Sequence, residues 1–183
     1  GRMLGALQLA FIDSVNLLLI GVIVAVGIAA RSNYAKTTAL LIAGDWCGVA
    51  GLALIMLVIF DGLGPVVQRF VEGPVFGILL IATGVLTAIL AVRGGDNQAL
   101  VQKIMRPLHT PGPATVGTGM VLGLIQSATS LPFYGGLALL SAAGVDAQVR
   151  YAAIPLYATV ALSLPTLSAL LVGWVRAKPA SAA

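Results

Sequence analysis

Asp13, Ser14 and Asn16 stand about ten residues into a largely apolar run, residues 3–30. A run of that length crosses a bilayer, which takes ~20 apolar residues. An ionisable group at such depth costs at least ~2.5 kcal/mol on insertion scales and rarely faces lipid. A carboxylate, a hydroxyl and a carboxamide placed there offer a substrate ligands, or a proton a carrier. A second polar break comes in the other half of the chain, at Gln126, Ser127, Thr129, Ser130 and Pro132. The two breaks read as halves of one site for substrate or proton. Asp45 lies about nine residues into its own apolar segment, and Lys36 is too near the end of that segment to neutralise it. Counted from opposite ends, Asp13 and Asp45 both fall near the middle. Two carboxylates brought together there share a proton, the chemistry of a proton-coupled carrier or a hard-cation site. The pattern names no particular metal.

The elements that must position these residues are membrane helices. The chain is 59% apolar and 9% charged, with a mean hydropathy of +1.04, against about 25% charged residues in soluble domains. The 183 residues read as a single integral membrane domain. Gly1 and Arg2 look like a tag remnant, and no cleavable signal peptide is apparent. Five apolar segments follow, at 3–30, 37–60, 74–92, 115–143 and 149–175. Their length, and the need to satisfy every backbone group in lipid, predict an all-α polytopic bundle of about five transmembrane helices. Residues 66–72 read as a short amphipathic piece at the interface. Residues 93–114 form a cytoplasmic connection containing Asp96, a solvated His109 and a short surface helix over 99–108 that ends near Pro107 and Pro111. Residues 177–183 form a tail. Basic residues set the orientation. With the amino terminus outside, the cytoplasmic pieces carry Arg31, Lys36, Arg93, Lys103, Arg106, Arg176 and Lys178, and the outer pieces Arg69 and Arg150. The sequence therefore predicts a multi-pass protein of the bacterial inner membrane, N-out and C-in.

Sliding the chain by 113 residues sets Asp13 on Gln126, Ser14 on Ser127 and Asn16 on Thr129. The first segment runs inward and the fourth outward, so the repeat is inverted, as in many secondary transporters built around broken helices at the midplane. The expected architecture is an incomplete inverted 3+3 repeat, 3–92 and 115–176, with its first and fourth helices broken. Gly44 and Gly48, like the set Gly117, Gly119 and Gly123, contain the small-xxx-small spacing of close helix packing.

With Asp-Ser-x-Asn early, Gly-Asp-Trp at 44–46 and Gln-Ser-x-Thr-Ser-x-Pro at 126–132, the chain resembles the lysine exporter superfamily. It is most similar to the actinobacterial branch of sulfolipid-1-addressing, or peptidoglycolipid-addressing, proteins. The resemblance covers roughly residues 5–175. It implies a 3+3 inverted repeat and export of a small solute, a metal ion or a cell-envelope lipid. The chain departs from that pattern by ending after a fifth segment, so a sixth helix is lost or is supplied by a partner membrane protein or a second copy.

These features point to a small inner-membrane transporter, an exporter working by alternating access, with proton coupling through its carboxylates. The alternative is a non-transporting scaffold or accessory subunit for cell-envelope lipid assembly or export. No enzyme chemistry is indicated, since there is no nucleophile with a His–Asp pair, no metal-ligand cluster and no phosphate loop. Cys47 is the single cysteine, which excludes a redox relay through an intramolecular disulfide. No cofactor is implied. The formal charge of +4 is too small and too spread out for nucleic-acid binding. The partners indicated are the bilayer, the transported substrate and a second copy. The missing helix predicts a homodimer whose interface uses residues 135–138 together with Ala158, Ser163 and Ser168.

Overall fold

The computed structural model describes residues 1–29, 33–93, 98–108 and 110–177. Arg31, Asp96, His109, Lys178 and all but the first residue of the 177–183 tail lie outside the described residues. The described elements are all helical: α1 (Arg2–Asp13), α2 (Leu17–Ala29), α3 (Tyr34–Leu63), α4 (Pro65–Glu72), α5 (Pro74–Arg93), α6 (Gln98–Met105), a 3-10 turn (Arg106–Leu108), α7 (Pro113–Ala128), α8 (Leu131–Ser141), α9 (Ala147–Ala161) and α10 (Ser163–Ala177). Among them α3 alone is long and apolar enough to cross a membrane unaided. The bent pairs α1–α2 (49°), α4–α5 (65°) and α9–α10 (45°) qualify when each pair is taken as one span, for up to four crossings. Residues 115–143, expected to be a further span, fall in the pair α7–α8, which is not among these.

The breaks have local causes. After Asp13 the chain turns through Ser14, whose hydroxyl donates back to the Phe11 carbonyl, and the Asn16 carboxamide then accepts from the Leu19 amide at 3.1 Å. Asn16 thereby satisfies one of the free N–H groups that begin any helix. At the second break the Thr129 hydroxyl donates to the Ile125 carbonyl at 2.9 Å, and Ser130 Oγ accepts from the Phe133 amide at 3.3 Å. Pro132 sits in the first turn of α8, where a missing N–H costs nothing, so this proline begins a helix and does not kink one. In the last segment Pro155 stays inside α9, and the break falls at Leu162, just before Ser163 and Pro165.

Two buried clusters hold the bundle. One joins α1, α3, α8 and α9 around Phe133 and Tyr157, and the other joins α2, α3, α6 and α10 around Leu19, Leu41 and Leu108. α3 packs along α7 through glycines. A Cβ at Gly44 would meet the Val116 carbonyl, one at Gly48 would come 2.5 Å from the Met120 carbonyl, and those at Gly119 and Gly123 would meet the Leu41 and Asp45 carbonyls.

The short helix expected over 99–108 is α6, with Gln102 and Lys103 exposed and Met105 packed into the second cluster. Two expectations are corrected. Arg2 is part of the fold. It opens α1 and donates to the Ala142 carbonyl at 2.5 Å and to Glu72 at 2.9 Å. The small-residue face assigned to a dimer interface is largely covered within the chain. The Tyr157 ring fills the space that Gly136 leaves, and Leu137, Ala138 and Ala158 are buried. Ser163 is half-buried and donates to the Val160 carbonyl at 2.7 Å, and Ser168 is half-buried.

Candidate functional site

Asp13 ends α1 with its side chain between the two breaks. Its Oδ1 accepts from Gln126 Nε2 at 3.0 Å and from Ser130 Oγ at 2.5 Å. The residue is 4% exposed, and its Oδ2 has no hydrogen-bond partner. The two polar breaks, far apart in sequence, thus meet on one carboxylate. Ser130 has two roles, capping α8 through the Phe133 amide and donating to Asp13.

A cavity of about 240 Å³ opens beside this carboxylate, lined by Asp13, Thr83, Thr87, Gln126, Thr129, Ser130 and apolar neighbours that include Pro132. Asp13 is the charged residue of that lining. Sequence reasoning missed Thr83 and Thr87, which α5 contributes. The signal was present, since they are the two hydroxyl residues of an otherwise apolar segment and their i, i+4 spacing puts them on one helix face.

The other expected site residues are placed differently. Ser14 is buried and Asn16 nearly so, and both spend their side chains on local backbone, as the first break requires. Thr129 lines the cavity while its hydroxyl satisfies the end of α7. Ser127 is fully buried with no partner for its hydroxyl. Asp45 is fully buried and neither carboxylate oxygen has a partner. It lies against α7, its Oδ1 2.9 Å from where a Cβ on Gly123 would stand, near enough to Asp13 for the charge of one to act on the other. Asp45 does not line the Asp13 cavity. Tyr157, also within reach of the Asp13 charge, is buried and donates to the Phe133 carbonyl at 2.5 Å.

Contacts between the halves recur at one offset. Asp13 bonds Gln126, and Trp46 Nε1 donates to Thr159 Oγ1 at 3.1 Å; each pair is 113 residues apart. At the same offset Ala6 and Ala10 correspond to Gly119 and Gly123, and Ile154 and Ala158 to Leu41 and Asp45. Gly119 and Gly123 pack on Leu41 and Asp45, and Ala6, Ala10, Ile154 and Ala158 share one buried cluster where α1 meets α9.

Compared with protein-family models, curated proteins and solved structures, the chain matches none.

Proposed function

We propose that this chain is a small bacterial inner-membrane transporter, an exporter that works by alternating access around the Asp13 cavity. The observation that carries the reading is the meeting of two helix breaks on one buried carboxylate beside an open chamber. A buried carboxylate with an oxygen unused is costly unless it serves a ligand or a proton. The proposed architecture is a pair of inverted repeats about a two-fold axis that passes between Asp13 and Gln126 and between Trp46 and Thr159. Residues equivalent under a two-fold axis touch each other where they lie on it, and contacts off the axis come in reciprocal pairs. Both kinds of contact support the reading. Half-helix ends converging at the midplane are the usual way such repeats build a substrate site. The same proposal holds the five-span topology, N-out and C-in, and the likeness to the lysine exporter superfamily. Asp45, buried close to Asp13, is the partner through which proton movement would couple to transport.

The test needs no substrate. With Cys47→Ala as background, Thr83→Cys is introduced into the cavity and probed with a membrane-impermeant maleimide in right-side-out and inside-out vesicles. An alternating-access site is labelled from both sides, and Asp13→Asn changes the ratio of the two rates. Labelling from one side or from neither overturns transport by this route.

A further inference from the structure

The Asp13 cavity does not stand alone. A second chamber of about 240 Å³ adjoins it and shares Thr83, Leu131 and Pro132 as common wall. Its remaining lining is apolar and aromatic and includes Phe60, Phe70, Phe76 and Leu80. Tyr134 brings a hydroxyl, but that hydroxyl donates to the Ala128 carbonyl at 2.7 Å. One chamber thus offers a carboxylate, an amide and hydroxyls, and its neighbour offers only apolar surface beyond Thr83.

We infer that the two adjoining chambers receive an amphiphilic organic cation, with a protonated amine at Asp13 and an aliphatic or aromatic part among the phenylalanines. This rests on reading the Asp13 cavity as the substrate site. Asp13 lines the polar chamber, and its only hydrogen-bond donors among the described residues are the neutral Gln126 and Ser130 side chains, so a cation in that chamber would compensate its charge. An anionic head would face that carboxylate uncompensated. A metal ion would find a single carboxylate in the lining, and no three His, Cys, Asp or Glu side chains come together among the described residues. A plain inorganic cation would leave the apolar chamber without an occupant.

The test is calorimetric titration of the full chain in nanodiscs, with empty nanodiscs subtracted, using n-alkylammonium ions from butyl to decyl. Alkylcarboxylates of the same lengths serve as controls. Affinity for the amines is expected to rise about fourfold per methylene and to level off once the apolar chamber is filled. Asp13→Asn lowers affinity for every amine at least tenfold and keeps the chain-length slope. Leu80→Trp moves the plateau to shorter chains and leaves butylammonium within about twofold. Carboxylates binding as well as amines, no dependence on chain length, or a plateau unmoved by Leu80→Trp would each overturn the inference. The two readings fail separately. Amine binding with one-sided Thr83→Cys labelling sinks transport and keeps the ligand class, whereas two-sided labelling without amine binding does the reverse.

Discussion

At the scale of single residues, the side chains that break the helices are also the ones that end and restart them. Asn16 holds the start of α2 and Ser130 the start of α8, but Ser130 alone of the two also reaches Asp13. The pair predicts a graded result. Asn16→Ala removes a cap, which costs about 1 kcal/mol, and leaves Thr83→Cys labelling unchanged. Ser130→Ala removes a cap and a hydrogen bond to a carboxylate, so roughly 2–3 kcal/mol is expected, together with altered labelling. Denaturant or thermal melts in mild detergent measure the first effect, and vesicle labelling the second. The same distinction explains what could be read from sequence. Asp13, Gln126 and Ser130 were legible as one site because polar residues deep in apolar runs need each other. Ser14 and Asn16 carried the same signal for a different reason, because hydroxyl and carboxamide side chains near a helix end satisfy free backbone groups as readily as a ligand. Thr83 and Thr87 escaped notice because threonine is common in membrane helices and carries no charge.

At the scale of elements, the pairing of α3 with α7 depends on backbone approaching backbone. Gly123→Val would push a Cβ into the Asp45 carbonyl, and overpacking of this kind costs about 1–3 kcal/mol. Gly117 lies on the same helix with nothing within 4 Å of the position of its missing Cβ. Gly117→Ala should therefore stabilise by ~0.5–1 kcal/mol, the ordinary helix-interior gain. Melting temperatures moving in opposite directions would support glycine-mediated packing, and equal shifts would refute it. Sequence spacing marked both glycines as packing positions, which the structure bears out at Gly123 and corrects at Gly117. It could not assign partners, and so a face of α8 and α9 expected to be bare proves to be covered by Tyr157. Which small face meets which ring is decided by the crossing of helices far apart in sequence. The role of Pro132 was hidden for a related reason, since a proline in an apolar run looks alike whether it kinks a helix or starts one.

At the scale of the whole molecule, the two ends differ. At one end Asp61 of α3 is held from α8 and α9. Arg150 donates to its Oδ2 at 3.0 and 3.2 Å, Tyr151 donates to the same oxygen at 3.0 Å, and Ser141 donates to Oδ1 at 2.6 Å. The Asp61 and Arg150 side chains are each 19% exposed, so water screens them only in part. At the opposite end a cavity of about 810 Å³ lies between α3 and α10, bounded by Tyr34, Thr38 and Trp174 and by Arg176, whose guanidinium sits 4.8 Å above the Tyr34 ring. If the chain is the N-out carrier proposed above, the Asp61 end faces outside and these bonds hold that side closed. A latch acts by biasing the balance between states, and a ligand or mutation shifts that balance only by its differential effect on the two. Asp61→Asn keeps the shape but weakens hydrogen bonds made to a charged group, worth about 1.5–3 kcal/mol each. A loss of 1.4 kcal/mol is tenfold in population. Outside labelling of Thr83→Cys is therefore expected to rise roughly tenfold in Asp61→Asn, inside labelling to fall, and Arg150→Gln to reproduce both changes. Faster outside labelling in neither variant would show that these bonds only hold the helices together and do not set the balance between states.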